Sequence, residues 1–219
     1  MAEINLMDRY PRSKRPIEER GKLLTEEQRA ISGQYGKEYF DGDRIYGYGG
    51  YYYHPRFWQD TVKRFQDYYN LPDNASILDV GCGKGFMLYD FKQLMPQCSI
   101  TGIDISEYAI ANAKEEVKPY LTLGNAKELP YSDNSFDLVI CINTVHQLPP
   151  EECKQSIREI QRVTRGNAFM TVDSWRNEAE KEAMLKWFLT AKTFMSTEEW
   201  VQLFDEVGYK GDYYWFIAE

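Results

Sequence analysis

Ile77-Leu78-Asp79-Val80 runs directly into Gly81-Cys82-Gly83-Lys84-Gly85-Phe86. An apolar strand enters a loop with glycine at every second position, and a helical pattern follows. Glycine lacks a Cβ, so the backbone can turn tightly and approach a ligand closely. The helix behind such a loop offers unpaired N–H groups and a positive dipole end, which suit a carboxylate or a phosphate. A strand, a glycine loop and a helix in that order mark a nucleotide site at the edge of a parallel α/β sheet.

The glycine spacing selects the kind of nucleotide. The dinucleotide fingerprint G-x-G-x-x-G needs its third glycine where Phe86 stands. A P-loop needs a Lys-Ser/Thr pair that is missing here. The observed pattern is Asp79-x-Gly81-x-Gly83-x-Gly85, which resembles motif I of the class I S-adenosylmethionine (SAM) dependent methyltransferases. A second segment, Ser99-Ile100-Thr101-Gly102-Ile103-Asp104, reads as a strand ending in an acid. A carboxylate at that point can accept both ribose hydroxyls; otherwise it caps the next helix. A third segment, Gly124 to Val139, is similar to the family's G-D-A-x-x-L-P-F-x-D-x-S-F-D-x-V. Asn125 stands where the family has Asp, and its side-chain oxygen can still accept from an adenine amino group.

The three segments span roughly half the chain and are most similar to the ubiquinone/menaquinone-type methyltransferase domain. The resemblance implies SAM as cofactor. The cofactor-binding residues expected are Asp79, Gly81, Cys82, Gly83, Gly85, Asp104, Ile105, Asn125, Ala126, Asn143 and Tyr51. It implies methyl transfer to an oxygen or nitrogen atom of a small metabolite. An enzyme that cyclises or cleaves SAM without transferring its methyl group is the alternative.

Hydrophobic periodicity places these motifs on a fold. Strands are expected at 76–80, 99–104, 120–123, 136–142 and 167–173, with helices at 84–95, 106–117 and 150–164. This alternation gives a Rossmann-like α/β three-layer sandwich with a mostly parallel sheet of six or seven strands. Asp79, Asp104, Asn125, Asn143 and Asp173 all fall at or just past strand carboxyl ends, where ligands of such sheets lie. Near the C-terminus, Trp200, Leu203, Phe204 and Val207 form a helical core stripe, and only about ten residues follow Gly208. The antiparallel hairpin that ends the family's sheet is therefore expected shortened or reduced to one strand. Residues 71–219 make the core, and residues 1–70 make an N-terminal arm and helical cap of the same domain.

The cap holds the most unusual composition. Thr25-Glu26-Glu27-Gln28 fits a capping box, and Pro55 opens a helix with Trp58, Val62, Phe65 and Tyr69 at helical spacing. Between them lies Tyr46-Gly47-Tyr48-Gly49-Gly50-Tyr51-Tyr52-Tyr53-His54. Aromatic faces attract a sulfonium cation, and tyrosine hydroxyls can hold a polar ligand group. Tyr48 and Tyr51 are the candidates there, unless the cluster only packs the cap to the core. For proton abstraction the candidates are His146, just past strand 136–142, and Asp173, at the end of the fifth strand. His54 is a weaker candidate.

Composition limits the partners. The net charge of −8 disfavours long nucleic-acid backbones. The one basic run is Arg9, Arg12, Lys14, Arg15, Arg20 and Lys22, kept extended by Pro11 and Pro16. It is either a solvated tail or an arm that holds an anionic substrate group. No apolar run reaches membrane-spanning length, and no signal-peptide pattern opens the chain. Cys82, Cys98, Cys141 and Cys153 show no zinc or redox spacing, which fits reduced thiols in a cytoplasmic protein with no metal site.

Overall fold

Successive side chains of a strand point to opposite faces, so each central strand feeds two cores. Ile77 packs on one side of the sheet while Leu78 and Val80 pack on the other. Leu138 and Ile140 oppose Val139 and Cys141 in the same way. The computed structural model describes residues 1–11 and 15–218. In chain order, α1 (Ile17–Leu23), α2 (Glu26–Ser32), α3 (Lys37–Asp41) and α4 (Pro55–Tyr69) precede β1 (Ser76–Val80). There follow α5 (Phe86–Leu94), β2 (Ser99–Asp104), α6 (Glu107–Ala111), β3 (Leu121–Leu123), β4 (Phe136–Ile142), α7 (Pro150–Val163) and β5 (Thr164–Trp175). The chain closes with α8 (Glu178–Trp187), β6 (Met195–Ser196), α9 (Thr197–Val207) and β7 (Asp212–Phe216). Trp58, Val62 and Phe65 of α4 join Phe86 and Phe91 of α5 on one face of the sheet. Cys153, Ile157 and Ile160 of α7 join Trp200, Leu203 and Phe204 of α9 on the other.

The sheet runs β3-β2-β1-β4-β5, with β6 and β7 both beside β5, and every pairing is parallel. The strand order reverses between β1 and β4, the switch point past whose carboxyl ends sheets of this kind hold their ligands. The C-terminal hairpin takes the second of its two expected forms. It is reduced to β7 alone, and β7 lies parallel to β5, with Met170 opposite Tyr213. Helix α9 crosses the sheet between β5 and β7 and returns the chain in the same direction. The outer edge of β7 is covered by the N-terminus. Ile4 N–H donates to Tyr213 C=O at 2.9 Å, and Tyr213 N–H donates to Ala2 C=O at 3.0 Å.

Local chemistry explains the other differences. The basic run is not extended throughout: α1 starts directly after Pro16, at a helix entrance where a missing N–H does no harm. Arg12 and Lys14 lie outside the described residues. The helix expected at 106–117 stops early, as α6 ends at Ala111 and a 3-10 turn follows at Lys118–Tyr120. No helix among the described residues is long and apolar enough to cross a membrane. All four cysteines are free and buried.

Candidate active site

The glycine loop folds as it does because its backbone requires it. Gly81 and Gly83 have φ of 83° and 53°, in the left-handed region that side chains disfavour. A Cβ on Gly81 would lie 2.1 Å from Thr144 Oγ1. A Cβ on Gly83 would press toward the Tyr51 ring at 3.3 Å. The loop is tied to the end of β2, since Gly81 N–H donates to Ile103 C=O at 2.8 Å. Gly85, with φ of 73°, opens α5. Cys82 is buried, with its sulfur against Gly102.

Two carboxylates meet beneath this loop. Asp104 accepts Gly83 N–H at 2.7 Å on one oxygen and Ser106 N–H at 2.8 Å on the other. Each oxygen keeps a further lone pair for a hydroxyl donor. Burial raises the Asp104 pKa. Asp79 is only 5% exposed, and no described residue donates a hydrogen bond to its carboxylate. Burial, with the nearby Asp104 charge, pushes its pKa up to about 7. A buried, unsatisfied acid beside a second acid calls for a ligand rich in donors and positive charge. Ile105, next to Asp104, is 55% exposed and offers an apolar face. Asn125 turns its side-chain oxygen onto Lys127 N–H at 3.0 Å, and Ala126 beside it is half-buried.

The cap is latched onto the loop by a buried ion pair. Lys84 Nζ lies 2.8 and 2.7 Å from the two Asp41 oxygens and donates to Tyr51 C=O at 3.0 Å. Asp41 also accepts from Tyr108 Oη at 2.7 Å and from Tyr51 N–H at 3.0 Å. The Tyr51 ring thereby sits beside the glycines, 4.9 Å from Phe86 and 4.3 Å from Tyr48.

Between cap, arm and sheet lies a chamber of about 810 Å³. Its walls include Tyr48, Tyr51, Asn143, His146 and Asp173. Tyr48 is 45% exposed, its surface turned to this chamber, and its raised pKa keeps the hydroxyl a neutral donor. Asn143 takes a left-handed φ of 53° just past β4 and is pinned to Thr171, which donates to its side chain at 2.7 Å. His146 and Asp173 form a buried pair. Asp173 N–H donates to His146 Nδ1 at 3.3 Å, and His146 Nε2 lies 3.5 Å from Asp173 Oδ1. Burial lowers the His146 pKa and raises that of Asp173, each countered in part by the other. His54 instead caps α4, its Nδ1 accepting Arg56 N–H at 3.2 Å.

Residues 77–167 match a family described as methyltransferase domain. Five parallel strands in the order 3-2-1-4-5 and an acid-flanked glycine loop at the switch point carry the same message. The fold is that of the class I SAM-dependent methyltransferases. The demethylmenaquinone methyltransferase of Symbiobacterium thermophilum is 30% identical over 155 residues, covering 65% of this chain and 59% of that protein. The enzyme of the same description from Halalkalibacterium halodurans is 32% identical over 119 residues, covering 51% and 46%. The chain thus spans less than two thirds of the length of these relatives. Among solved structures, a chain of the complex between the Haloferax volcanii Trm112 methyltransferase activator and a methyltransferase matches with TM-score 0.58 and 18% identity. That match covers 84% of this chain and 77% of the other. The [4+2]-cyclase SpnF matches with TM-score 0.57 and 23% identity, covering 68% and 56%.

On this methyltransferase fold, Asp79, the glycine loop, Asp104 and Ile105 gather at the ends of β1 and β2. Asn143, His146, Asp173 and Tyr48 gather at the chamber, and Tyr51 bridges the two groups. Lys84 and Asp41 are missed from sequence, although a lysine between two loop glycines is visible there. Tyr39, half-buried and 5.4 Å from Tyr48, lies outside the tyrosine run and gives no sequence signal.

Proposed function

We propose that this chain moves a methyl group from SAM to an oxygen or nitrogen atom of a small metabolite. The observation that carries the reading is the unsatisfied, buried Asp79 beside Asp104 beneath a cap-covered glycine loop. Those groups fit SAM. Asp104 would hold the ribose hydroxyls, Ile105 and Asn125 the adenine, and Asp79 the amino end of the methionine tail. The turn 81–85 and Tyr51 would flank that tail. When bound, SAM supplies an electrophilic methyl group on a sulfonium sulfur.

The chain then has to align an acceptor, exclude water and take up a proton. The latched cap closes the donor side of the chamber. Asp173 is the group placed to accept the proton from the acceptor's O–H or N–H, because burial makes its carboxylate more basic than usual. His146 already accepts a backbone N–H on Nδ1, so its part is to hold Asp173 through Nε2. Tyr48 and Tyr39 line the approach as neutral donors.

Calorimetry should show micromolar SAM binding that is lost in Asp104→Ala. No heat with the intact chain removes the reading. The fold alone does not select the chemistry, since one neighbour is described as a [4+2]-cyclase. Mass spectrometry separates the cases. S-adenosylhomocysteine (SAH) with a methylated acceptor supports transfer, whereas methylthioadenosine without one supports cleavage of SAM.

The acid–base assignment has its own test. Asp173 must be ionised to accept a proton, so the rate falls as pH drops through its raised pKa. The acid limb of kcat is expected above the ordinary carboxylate range, and Asp173→Asn should remove that limb and lower kcat about 10²–10⁴-fold. A pH profile unchanged in Asp173→Asn returns the base role to another group.

A further inference from the structure

Three arginines converge on one wall of the chamber. The guanidinium groups of Arg15, Arg20 and Arg44 lie 5.5, 4.8 and 5.7 Å from the centroid of the Trp187 ring. In a chain of net charge −8, such a cluster is unexpected without carboxylates to neutralise it. Yet the hydrogen bonds of Arg20 go to the carbonyls of Trp187 and Arg44, each at 3.0 Å. Arg44 donates to Gly47 C=O. Arg29, just outside the wall, donates to Phe188 C=O and Leu185 C=O. Among the described residues, no carboxylate forms an ion pair with Arg20 or Arg44. Arg176 also faces the chamber, but it pairs with Glu180 at 2.8 Å.

Part of this pattern is structural. The carbonyls around Trp187 end α8, and cations favour a helix C-terminus. That dipole end amounts to about half an elementary charge, too little for the two guanidinium groups of Arg20 and Arg44. The strain shows in Arg20, which is 7% exposed and whose pKa falls to about 10 through burial and the charges of Arg44 and Arg29. Glu3 and Asp173 are the carboxylates facing the chamber, and Asp173 is shared between His146 and the charge of Arg15, away from Arg20 and Arg44. The rest of the lining is rich in aromatic rings, among them Tyr39, Tyr48, Phe57 and Trp58.

We propose that the chamber takes an anionic acceptor, a metabolite with a carboxylate or phosphate on a ring-sized apolar body. Its anion sits on Arg44 and Arg20 against Trp187, and its methyl-accepting atom reaches toward Asp173. Guanidinium groups suit both anions, since each offers paired oxygens to planar N–H donors. This assignment rests on the reading of the crevice as a SAM site.

The test titrates benzoate, phenyl phosphate and uncharged benzamide into the chain saturated with SAH, at low salt. At least one of the two anions is expected to bind about tenfold or more tighter than benzamide, and which one leads tells carboxylate from phosphate. Arg20 is buried under the cap and its loss endangers folding. The exposed Arg44 therefore carries the test: Arg44→Gln should bring the ratio close to one, and Arg44→Lys should recover part of it. SAH affinity should stay unchanged in both. Equal binding of anions and amide by the intact chain overturns the proposal, as does an undiminished preference in Arg44→Gln. An anion preference in a chain that does not bind SAH overturns the SAM reading and leaves the anion site standing.

Discussion

Replacing Lys84 with methionine is expected to destabilise the protein by about 3–5 kcal/mol, the usual result of removing one partner of a buried ion pair. The Lys84 and Asp41 side chains are 5% and 13% exposed. Without the ammonium, Asp41 would stay under the cap with only Tyr108 Oη and Tyr51 N–H to stabilise its charge. The pair bridges the cap and the glycine-loop side of the core, which otherwise meet through aromatic contacts and hydrogen bonds such as Ser106 to Tyr35 and Tyr53 to Asp90, so its loss also loosens Tyr51 from the glycine loop. SAH affinity should fall together with stability. Urea denaturation measures the first effect and calorimetry the second. The variant Lys84→Met/Asp41→Asn should recover much of the stability, because no buried charge is then left alone. A single variant as stable as its parent means that the cap is held by its rings and not by the latch. The sign with pH is fixed as well. Burial alone would raise the Asp41 pKa, but the bonds from Lys84, Tyr108 and Tyr51 hold it below the usual value. The latch is therefore in force above the ordinary carboxylate pKa and fails as pH falls through the lowered one.

The same pair shows where sequence reading stops. Strands β1, β2 and β4 are legible because their burial repeats every second residue and their ends carry acids. The helix α4 is legible because Trp58, Val62 and Phe65 repeat at helical spacing and Pro55 marks its start. The loop 81–85 is legible because positive φ demands glycine. Each of these signals is local. Lys84 finds Asp41 across 43 residues, and Arg20 finds the Trp187 carbonyl across 167. Nothing in the neighbourhood of either residue announces its partner. The parallel direction of β7 is decided by the path of α9 over the sheet, which the strand's own five residues do not encode. Asn143, His146 and Asp173 of the chamber are legible from their strand ends and Tyr48 from the tyrosine run, but its arginine wall shows in the sequence only as a basic run. The wall opposite the tyrosines comes from Trp187, at the end of a helix whose spacing says nothing of ligands.

Asp79→Asn is expected to make the protein more stable and less able to bind its cofactor. In the folded chain the Asp79 carboxyl keeps its proton up to about pH 7, whereas an unfolded chain releases it near pH 4. Between those values the folded state binds more protons, so stability falls as pH rises across the window and stays low above it. A shift of this size corresponds to at most about 4 kcal/mol, and asparagine, which cannot ionise, avoids the loss. Asp104 titrates beside it, so the window belongs to the two acids together. Denaturation of parent and variant at pH 5 and pH 8 should show them converging at the lower pH and the variant ahead at the higher. Binding should run the other way. An amino group placed against Asp79 favours the ionised acid, so SAH binding near pH 6 should release a proton, seen as a heat that varies with the buffer's ionisation enthalpy. The release should disappear in Asp79→Asn together with most of the affinity. A variant that gains no stability and still binds SAH with proton release would move the methionine end away from β1. The acid at the head of the glycine loop would then be a packing residue, and the cap-covered crevice would need another occupant.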